Sequence, residues 1–456
     1  MRSHSKTFLI PVFVALSLSS IQAQEPMGSI DPSFFKGRRQ ALMAQLDSGI
    51  VVLRGNGRQG AGLDGFTQTE SFYYLTGIEQ QNTALILFPE TGRDILLVEP
   101  YSRFTAQWEG FRVVPSEAHA KQYQYDEIRA VTGLPRILSE LIAEGLAGSP
   151  PKVWTTGGGG RRRGRPNEAA ANAQFRDPQS SSAVFVDDLR SRYEGIEIDD
   201  VTRIIDSLRG VKQESEIARI AEATRIACDG IAEAMKSTVP GVYEFQIAAA
   251  ARYVFHRNGA RQDAYAAIVG AGINGCVLHY SINSKRAESG EIVVMDYAPK
   301  FQGYASDVTR TFPVNGEFSP EQRKLVQDVY DVQQILISLV KPGATLGEIS
   351  RRSQEELAKR GYVSAHGPSH HVGLNVHDKG GNTLEPGMLI TIEPGAYLRD
   401  QEMGCRIEDV ILVTEDGNIN LSGHLPSKPE EIEALMRGEG VQQTQVGLQR
   451  KQAVRK

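Results

Sequence analysis

The sequence predicts a mixed α/β protein, α+β in arrangement, and three features support this fold class. The chain has 456 residues, more than one hydrophobic core ordinarily accommodates. Its first half mixes short apolar runs with helical patterns, and a second pattern of long helices followed by many strands opens near Asp200. We therefore expect a leader at 1–23, domains at 28–198 and 199–437, and a polar, disordered tail at 438–456.

The N-terminus has the pattern of a signal peptide. Arg2 and Lys6 precede a mostly apolar run at 8–18, and small residues follow up to Ala23. The run contains Pro11 and is shorter than the ~20 residues that span a bilayer. We expect cleavage after Ala23, no stable membrane insertion afterwards, and export to the periplasm or the medium.

The composition excludes some functions. A formal net charge of -5 argues against a generally basic surface, so nucleic acid is not expected as a partner. Its three cysteines, Cys228, Cys276 and Cys405, are odd in number and far apart, which is typical of buried free thiols rather than a disulfide framework.

The first domain offers few groups for chemistry. Strands are predicted at Ile50–Leu53, Ala84–Phe88 and Asp94–Val98, and His119 is the single histidine between Pro32 and Gly195. The Gly/Arg-rich segment at 155–166 is predicted to be a flexible surface loop.

The second domain opens with two predicted helices, at Glu214–Lys236 and Val242–Asn258. A third helix has a strong start at Ser319–Gln322, because serine can cap it and the glutamine can reach back to the cap. The sequence Lys341–Gly343 is expected to end that helix.

Two acids flank a predicted hairpin in this domain. The apolar run Glu291–Asp296 reads as a strand, Pro299–Gly303 as a turn and Tyr304–Phe312 as a second strand. Asp296 and Asp307 are nearly equidistant from the turn, which predicts that they face each other with about 5 Å between their Cβ atoms. Two such carboxylates repel each other unless a cation lies between them, so a metal site is the simplest explanation.

A second hairpin repeats the pattern. Leu389–Glu393 and Arg406–Val413 resemble strands, with Glu393 and Glu408 symmetric about the loop between them. Alternation places Arg406 on the face of Glu408, where its charge is expected to orient that carboxylate. One such acid alone would more often be a solvated or salt-bridged residue, but two hairpin pairs in one region favour a metal site.

Imidazole donors cluster in the same region. Five of the nine histidines fall within one hundred residues: His279, His366, His370, His371 and His377. Spacing alone does not decide whether His370 or His371 joins the carboxylates, because a glycine-containing strand can bulge. Four carboxylates balance the charge of two divalent ions, and oxygen-rich ligation suits manganese, cobalt, iron or zinc better than copper.

Six segments of the second domain carry a resemblance to a known family. They are NGCVLHY (274–280), VVMDY (293–297), GYASDVTRTFPVNGEF (303–318), SHHVGLNVHD (369–378), TIEPGAY (391–397) and RIEDVILVTEDG (406–417). They closely resemble the proline-specific branch of the methionine aminopeptidase/creatinase superfamily, with aminopeptidase P, or Xaa-Pro aminopeptidase, as the most similar member. The first half, with FTQTESFYYLTGIEQQNTALILFP (66–89), resembles the N-terminal domain of that family.

The resemblance implies a creatinase-like N-terminal domain and a pita-bread catalytic domain with a dinuclear centre, usually of manganese. It implies that Asp296 chelates one metal, that Asp307 and Glu408 bridge both, and that His370 and Glu393 complete the ligands. His370 is thereby favoured over its neighbour.

The resemblance also implies the reaction, which is hydrolysis of the Xaa-Pro bond at a peptide N-terminus by a hydroxide bridging the metals. Glu393 is the expected general base, and His279, His366 and His377 are expected to contact substrate or move protons, whereas His371 has no catalytic role. The expected partners are peptides with proline at the second position, and a homodimer or homotetramer is expected.

Two alternatives remain at this point. Prolidase has the same centre but acts on Xaa-Pro dipeptides, and short spacings between His370, Glu393 and Glu408 predict unusually short loops around the site. A non-catalytic pita-bread binding protein is the alternative from another class, although the complete ligand set disfavours it. Creatinase-type hydrolysis is disfavoured for the same reason.

Overall fold

The computed structural model describes residues 30–57, 67–100, 107–108, 110, 112–157 and 181–441. The predicted leader, most of the Gly/Arg-rich segment at 155–166 and the tail beyond residue 441 lie outside the described residues. The predictions of signal cleavage, of a flexible loop and of a disordered tail therefore remain predictions.

Both halves of the described chain contain helices and strands. The helices are α1 (Pro32–Met43), α2 (Glu70–Thr76), α3 (Glu117–Gln122), α4 (Leu134–Ala143), α5 (Ser181–Arg192), α6 (Thr202–Gly210), α7 (Glu214–Ser237), α8 (Glu244–Arg257), α9 (Pro320–Ile337), α10 (Leu346–Lys359) and α11 (Pro429–Met436). The strands are β1 (Ile50–Arg54), β2 (Ala84–Phe88), β3 (Arg93–Val98), β4 (Glu127–Ala130), β5 (Lys152–Thr155), β6 (Glu197–Asp200), β7 (Gln262–Asp263), β8 (Ile268–Ala271), β9 (Ile292–Asp296), β10 (Pro299–Phe301), β11 (Tyr304–Ala305), β12 (Thr309–Pro313), β13 (Leu389–Ile392), β14 (Gly395–Leu398), β15 (Met403–Arg406), β16 (Asp409–Val413) and β17 (Asn418–Asn420).

The N-terminal half is built on a mixed six-stranded sheet in the order β4-β3-β2-β1-β5-β6. Its strands β1, β2 and β3 are buried on both faces along nearly their whole length, so both faces need cover. Ile137 and Leu141 of α4 pack on one face with Ile86, and Leu42 of α1 packs on the other with Leu85. The mixed α/β fold class is confirmed.

The second half contains two packed units that meet at one cavity. In the first, α7 and α8 pack against the sheet β12-β9-β8, and their core includes Ile231 and Phe312. In the second, α9 and α10 pack against the sheet β13-β16-β17 around Leu336 and Ile390.

The three N-terminal strands and the helices α7 and α8 lie within one or two residues of their predicted bounds. Helix α9 begins at the predicted cap, where Ser319 and Gln322 exchange hydrogen bonds, but it ends at Ile337, before the predicted stop. The side-chain amide of Asn418 donates to the carbonyl oxygens of Ile337 and Val340, at 3.0 and 2.8 Å. These contacts satisfy carbonyl groups at the helix end, so the helix can stop there.

The two halves share one hydrophobic core. A single cluster joins Leu42 and Leu75 of the N-terminal half to Tyr304, Val372 and Leu389 of the second. The hydroxyl of Tyr73 also donates to the carbonyl oxygen of Gln302, 3.2 Å away, at the turn between β10 and β11. The N-terminal half therefore supports the hairpin that carries Asp296 and Asp307.

A buried arginine joins the two units of the second half. Arg310 is fully buried, and its guanidinium donates to the carbonyl oxygens of Thr309 and Glu408, at 2.9 and 2.8 Å, and to the carboxylate of Asp409, at 2.8 Å. It also donates to the carbonyl oxygens of Pro426, Ser422 and Leu425. One side chain thus ties together the strands that bring acids to the cavity.

The three cysteines are buried and free, as predicted. None of the helices in the described residues combines the length and the apolar character that crossing a membrane requires.

Replacing Arg310 by methionine should destabilise the protein strongly, because it leaves the carboxylate of Asp409 buried without its cation. We expect a loss of about 3–5 kcal/mol in the free energy of unfolding, measured by urea denaturation. Arg351→Met, which removes an exposed pair with Glu355, is the control and should cost less than about 1 kcal/mol. Equal losses in the two variants would contradict the role assigned to Arg310.

Candidate metal centre and active site

A cavity of about 250 Å³ lies between the two units of the second half. All nine site residues predicted from the sequence line it: His279, Asp296, Asp307, His366, His370, His377, Glu393, Arg406 and Glu408. Leu278, Gly367 and Ser369 complete the lining, and His371 is not part of it.

The first hairpin differs from prediction in its register. Asp296 pairs with Thr309, not with Asp307, so the prediction that the two acids face each other directly is wrong. The turn is centred on Gln302 and Gly303, whose φ angles of 49° and 84° are both left-handed. Positive φ at both central residues is typical of a tight hairpin turn, and this turn lies one residue later than predicted. Asp307 is therefore a diagonal neighbour of Asp296 on the same face.

The hydroxyl of Tyr265 bridges these two acids. Its oxygen lies 2.5 Å from Oδ1 of Asp296 and 2.6 Å from Oδ1 of Asp307. A phenol carries one hydrogen, so it can donate to one of the two carboxylates, and the other contact needs a proton or a cation. Burial, and then the charge of Asp296, raises the pKa of Asp307 well above its ordinary value. A bound cation would remove the need for that proton.

The second hairpin has the predicted geometry. Strand pairs β13–β16 and β14–β15 keep a single register, which brings Glu393 opposite Glu408. Glu408 also pairs with Thr309 of the first hairpin, through a backbone bond of 3.1 Å and a bond of 2.7 Å from the Thr309 hydroxyl to its Oε2. The two hairpins thus meet at Glu408.

Strand pairing separates the two adjacent histidines. The amide of Thr391 donates to the carbonyl oxygen of His370, at 2.8 Å, whereas His371 lies opposite Ile390. Side chains alternate across a strand, so His370 shares the face of Glu393 and points to the cavity, and His371 points away. The Nε2 of His371 contacts the carbonyl oxygen of Gly381 instead, at 2.9 Å.

The orientation of His370 suits a metal ligand. Its Nδ1 lies 3.2 Å from the carbonyl oxygen of His371, and a carbonyl can only accept, so Nδ1 carries the proton. The lone pair of Nε2 then faces carboxylate oxygens of Asp307, Glu393 and Glu408, at 3.3, 3.5 and 3.9 Å. A lone pair facing three carboxylates is unfavourable unless a proton or a cation lies between them.

The predicted partner of Arg406, the carboxylate of Glu408, is wrong. Its Nη2 donates to Oδ2 of Asp296 at 2.7 Å, and it reaches Glu408 only through the hydroxyl of Thr309, which lies 3.3 Å from its Nε. The carboxylate of Glu408 already accepts a hydrogen bond from the hydroxyl of Thr309. The long side chain of Arg406 therefore extends past Glu408 to Asp296 at the end of β9. Arg406 therefore holds Asp296 in place.

A tyrosine links Arg406 to His366. Arg406 donates to the hydroxyl of Tyr397 at 3.0 Å, and that hydroxyl lies 2.9 Å from Nε2 of His366. Nδ1 of His366 faces the carbonyl oxygen of Gly367 at 2.8 Å, so Nδ1 is protonated and Nε2 accepts from Tyr397. Burial lowers the pKa of His366 below its ordinary value, which keeps the ring neutral near pH 7.

The other two histidines lie at the mouth of the cavity. The ring of His377 stands edge-on to that of His370, with 4.2 Å between centroids, and burial lowers its pKa. His279 is solvent-exposed and belongs to a loop that follows β8. Both rings can therefore meet a molecule that enters the cavity.

Sequence reasoning missed three side chains of the site, Tyr265, Thr309 and Tyr397. Alternation gave a signal for two of them, because Thr309 follows Asp307 by two residues and Tyr397 follows Glu393 by four, which places each on the face of its acid. Tyr265 lies outside both hairpins and outside the six segments that carry the family resemblance, so nothing in the sequence indicated that it belongs to the site.

The donor set fits divalent cations. Ligand atoms of Asp307, His370 and Glu408 lie within 4.8 Å of one another, and Glu393 and Asp296 border them. Burial together with neighbouring carboxylates raises the pKa of Glu408 and of Glu393 well above the ordinary value. Among the described residues that line the cavity, Arg406 is the one lysine or arginine, so a single fixed positive charge faces four carboxylates.

The fold and the site are those of a metallopeptidase, and comparison with known proteins defines the family. Residues 218–415 match metallopeptidase family M24, and residues 35–147 match the aminopeptidase P N-terminal domain. The Xaa-Pro aminopeptidase of Escherichia coli K12 is 30% identical to this chain over 459 residues, covering 90% of this chain and 99% of that protein.

Solved structures agree with this assignment. A putative aminopeptidase P from Bacillus anthracis superposes with a TM-score of 0.79 at 26% identity, covering 91% of this chain and 100% of that one. Aminopeptidase P from E. coli with the inhibitor Pro-Leu gives 0.77 at 29% identity, covering 90% and 98%. The chain belongs to metallopeptidase family M24, with Xaa-Pro aminopeptidases as relatives, and is a metal-binding aminopeptidase.

Stabilisation of the protein by added metal should increase with pH. Without metal, the raised pKa values of Asp307, Glu393 and Glu408 mean that the folded state binds more protons than the unfolded chain, so the fold loses stability as pH rises above the ordinary carboxyl range. Deprotonation also frees the ligand oxygens for metal.

We therefore expect Mn²⁺ to raise the Tm of chelator-treated protein more at about pH 8 than at about pH 6, as measured by scanning fluorimetry. Asp307→Asn, which removes one of the titrating ligands, should show a smaller and flatter response. A Tm shift that is the same at both pH values would contradict the assignment of these carboxyl groups.

Proposed function

We propose that this protein removes the N-terminal residue from peptides whose second residue is proline, with two divalent metal ions held by Asp296, Asp307, His370, Glu393 and Glu408. The observation that carries the proposal is the Nε2 lone pair of His370 facing three buried carboxylates. The relatives named Xaa-Pro aminopeptidase support the choice of substrate.

Bound divalent ions would polarise the scissile carbonyl and lower the pKa of an attacking water. Manganese is the proposed metal, with cobalt, zinc and iron as alternatives, because four carboxylates and one imidazole form an oxygen-rich donor set.

Glu393 is the proposed general base. Its carboxylate lines the cavity with Oε1 3.5 Å from Nε2 of His370, next to the place where a metal-activated water would be held. It would take the proton of the attacking water and deliver it to the proline nitrogen that leaves. Nδ1 of His366, which donates to the carbonyl oxygen of Gly367, lies 3.7 Å from Oε2 of Glu393, so the neutral ring borders that carboxylate without a hydrogen bond to it.

His279 and His377 are the proposed contacts to the substrate. A neutral imidazole can donate a hydrogen bond to the scissile carbonyl oxygen, where negative charge develops during attack. The lowered pKa of His377 suits this role. Their position at the mouth of the cavity lets them contact a peptide that extends outward.

The prolidase alternative requires a cation for the free carboxylate of a dipeptide. The guanidinium of Arg406 is already occupied, because it donates to Asp296, Tyr397, Thr309 and the carbonyl oxygen of Leu278. In the described part of the cavity lining no second lysine or arginine is present. This favours longer peptides as substrates.

We also propose the domain bounds 28–198 and 199–437, export after cleavage at Ala23, and assembly into a homodimer or homotetramer. The two family matches, 35–147 and 218–415, fall inside the proposed domains. Export is supported by the charge and apolar pattern of the first 23 residues.

Asp307→Ala should abolish peptidase activity in manganese-loaded protein. Loss of a ligand should cost at least the ~100-fold that loss of a supporting partner costs at metal sites. Asp416→Ala, in an exposed turn after β16 and outside the cavity lining, is the matched control and should retain full activity. If Asp307→Ala hydrolysed an Xaa-Pro peptide at the rate of the unmodified protein, the proposed centre would be wrong.

Peptide length should separate the two candidate activities. We expect kcat/KM for an Xaa-Pro-Xaa tripeptide to exceed that for the matching Xaa-Pro dipeptide by at least about tenfold, because the described lining of the cavity has no unoccupied lysine or arginine for a dipeptide carboxylate. A tripeptide with alanine in place of proline tests proline specificity and should be cleaved poorly. Efficient hydrolysis of the dipeptide alone would identify a prolidase instead.

A further inference from the structure

The loop that carries His279 is mostly exposed. Val277, His279 and Ile282 are all solvent-exposed, and Ile282 is 75% accessible. Such a loop has few packing contacts of its own, so the position of His279 depends on how the loop is attached to the core.

One buried carboxylate holds both ends of this loop. Glu244, the first residue of α8, is fully buried. Its Oε1 accepts from the amide of Ala271 and the side chain of Asn274, at 2.9 and 3.0 Å, on the near side of the loop. Its Oε2 accepts from the hydroxyl of Tyr280 and the amide of Lys285, at 2.9 and 2.8 Å.

The four donors to Glu244 are uncharged. The ammonium group of Lys285 instead binds both carboxylate oxygens of Glu291, at 2.6 Å each. Two oxygens that each accept two hydrogen bonds satisfy a buried carboxylate without a cation. The buried negative charge of Glu244 is therefore stabilised by all four donors, and each of these donors has Glu244 as its acceptor.

These contacts place His279 between two fixed points. Its neighbour Tyr280 is bound to Glu244, and the carbonyl oxygen of its other neighbour, Leu278, accepts from Arg406 at 3.4 Å. Arg406 in turn holds Asp296. The exposed imidazole therefore lies between a residue held by Glu244 and a residue held by Arg406, and Arg406 also binds the site carboxylate Asp296.

We propose that Glu244 is a positioning residue for the reaction, which holds the loop 277–285 so that His279 meets the scissile carbonyl. This inference rests on the proposed function, because it takes His279 as a substrate contact. Glu244 does not line the cavity and acts only through the loop.

The substitution Glu244→Gln tests this role with little change in shape. The glutamine keeps one acceptor oxygen for two donors, but its amide nitrogen faces the other two donors, so one end of the loop is released. We expect kcat for an Xaa-Pro tripeptide to fall about 10- to 100-fold with a small change in KM, since displacement of a group by ~1 Å can have an effect of that size. Hydrogen exchange of the loop 277–285 should accelerate, at unchanged metal content.

A double-mutant cycle distinguishes positioning from general destabilisation. If Glu244 acts through His279, the variant Glu244→Gln/His279→Ala should be no slower than His279→Ala, within about twofold. Tyr280→Phe, which removes one donor, should show a smaller loss of the same kind and replaces Glu244→Gln in the cycle if that variant does not fold. Lys285→Met, which removes the ion pair with Glu291 but keeps the backbone donor, is the control in the same loop and should be fully active.

Additive losses in the cycle would overturn the inference and leave the proposed function intact. Full activity of His279→Ala towards Xaa-Pro peptides would overturn the inference by a different route, because the substrate contact assigned to His279 would then be wrong.

Discussion

Repulsion among four carboxylates in one small cavity is the constraint on which the rest of the structure depends. Asp296, Asp307, Glu393 and Glu408 all line it, and burying like charges together costs several kcal/mol unless they are compensated. Arg406 supplies one positive charge, and the hydroxyl of Tyr265 can donate one hydrogen bond to Asp296 or to Asp307. The remaining charge is removed either by protons, as the raised pKa values of Asp307, Glu393 and Glu408 indicate for the metal-free protein, or by bound cations.

A cluster of this kind must be held rigidly, since each acid would otherwise turn towards solvent. The two hairpins meet at the pairing of Thr309 with Glu408, and the guanidinium of Arg310 donates to the carbonyl oxygens of both residues. The buried guanidinium makes every hydrogen bond to backbone or to Asp409, so it fixes the backbone rather than the reacting groups. The N-terminal half adds support through Tyr73, which contacts the turn of the first hairpin.

Much of this arrangement could be predicted from the sequence, because strand alternation and turn symmetry are local rules. The hairpin that brings Glu393 opposite Glu408 follows from them. They failed for Asp296 and Asp307, since the left-handed pair Gln302 and Gly303 moves the turn by one residue. They also failed for Arg406, because its long side chain can reach either Asp296 or Glu408 and the local rules do not decide between the two acids. They gave no signal for Tyr265, because this residue contacts the acids from outside both hairpins. Tertiary contacts of this kind leave no periodic signal in a sequence.

The parts of the site differ in exposure, and this difference separates catalysis from recognition. Asp307, Glu408 and Arg406 are buried among strands, where a change of one side chain disturbs several fixed partners. His279 lies on an exposed loop that can change in sequence or length without altering the metal ligands. Peptide-length preference should therefore depend on the loops around the cavity, whereas hydrolysis depends on the cluster. Glu244 connects the two, because one buried carboxylate fixes an exposed loop to the same rigid frame as the acids.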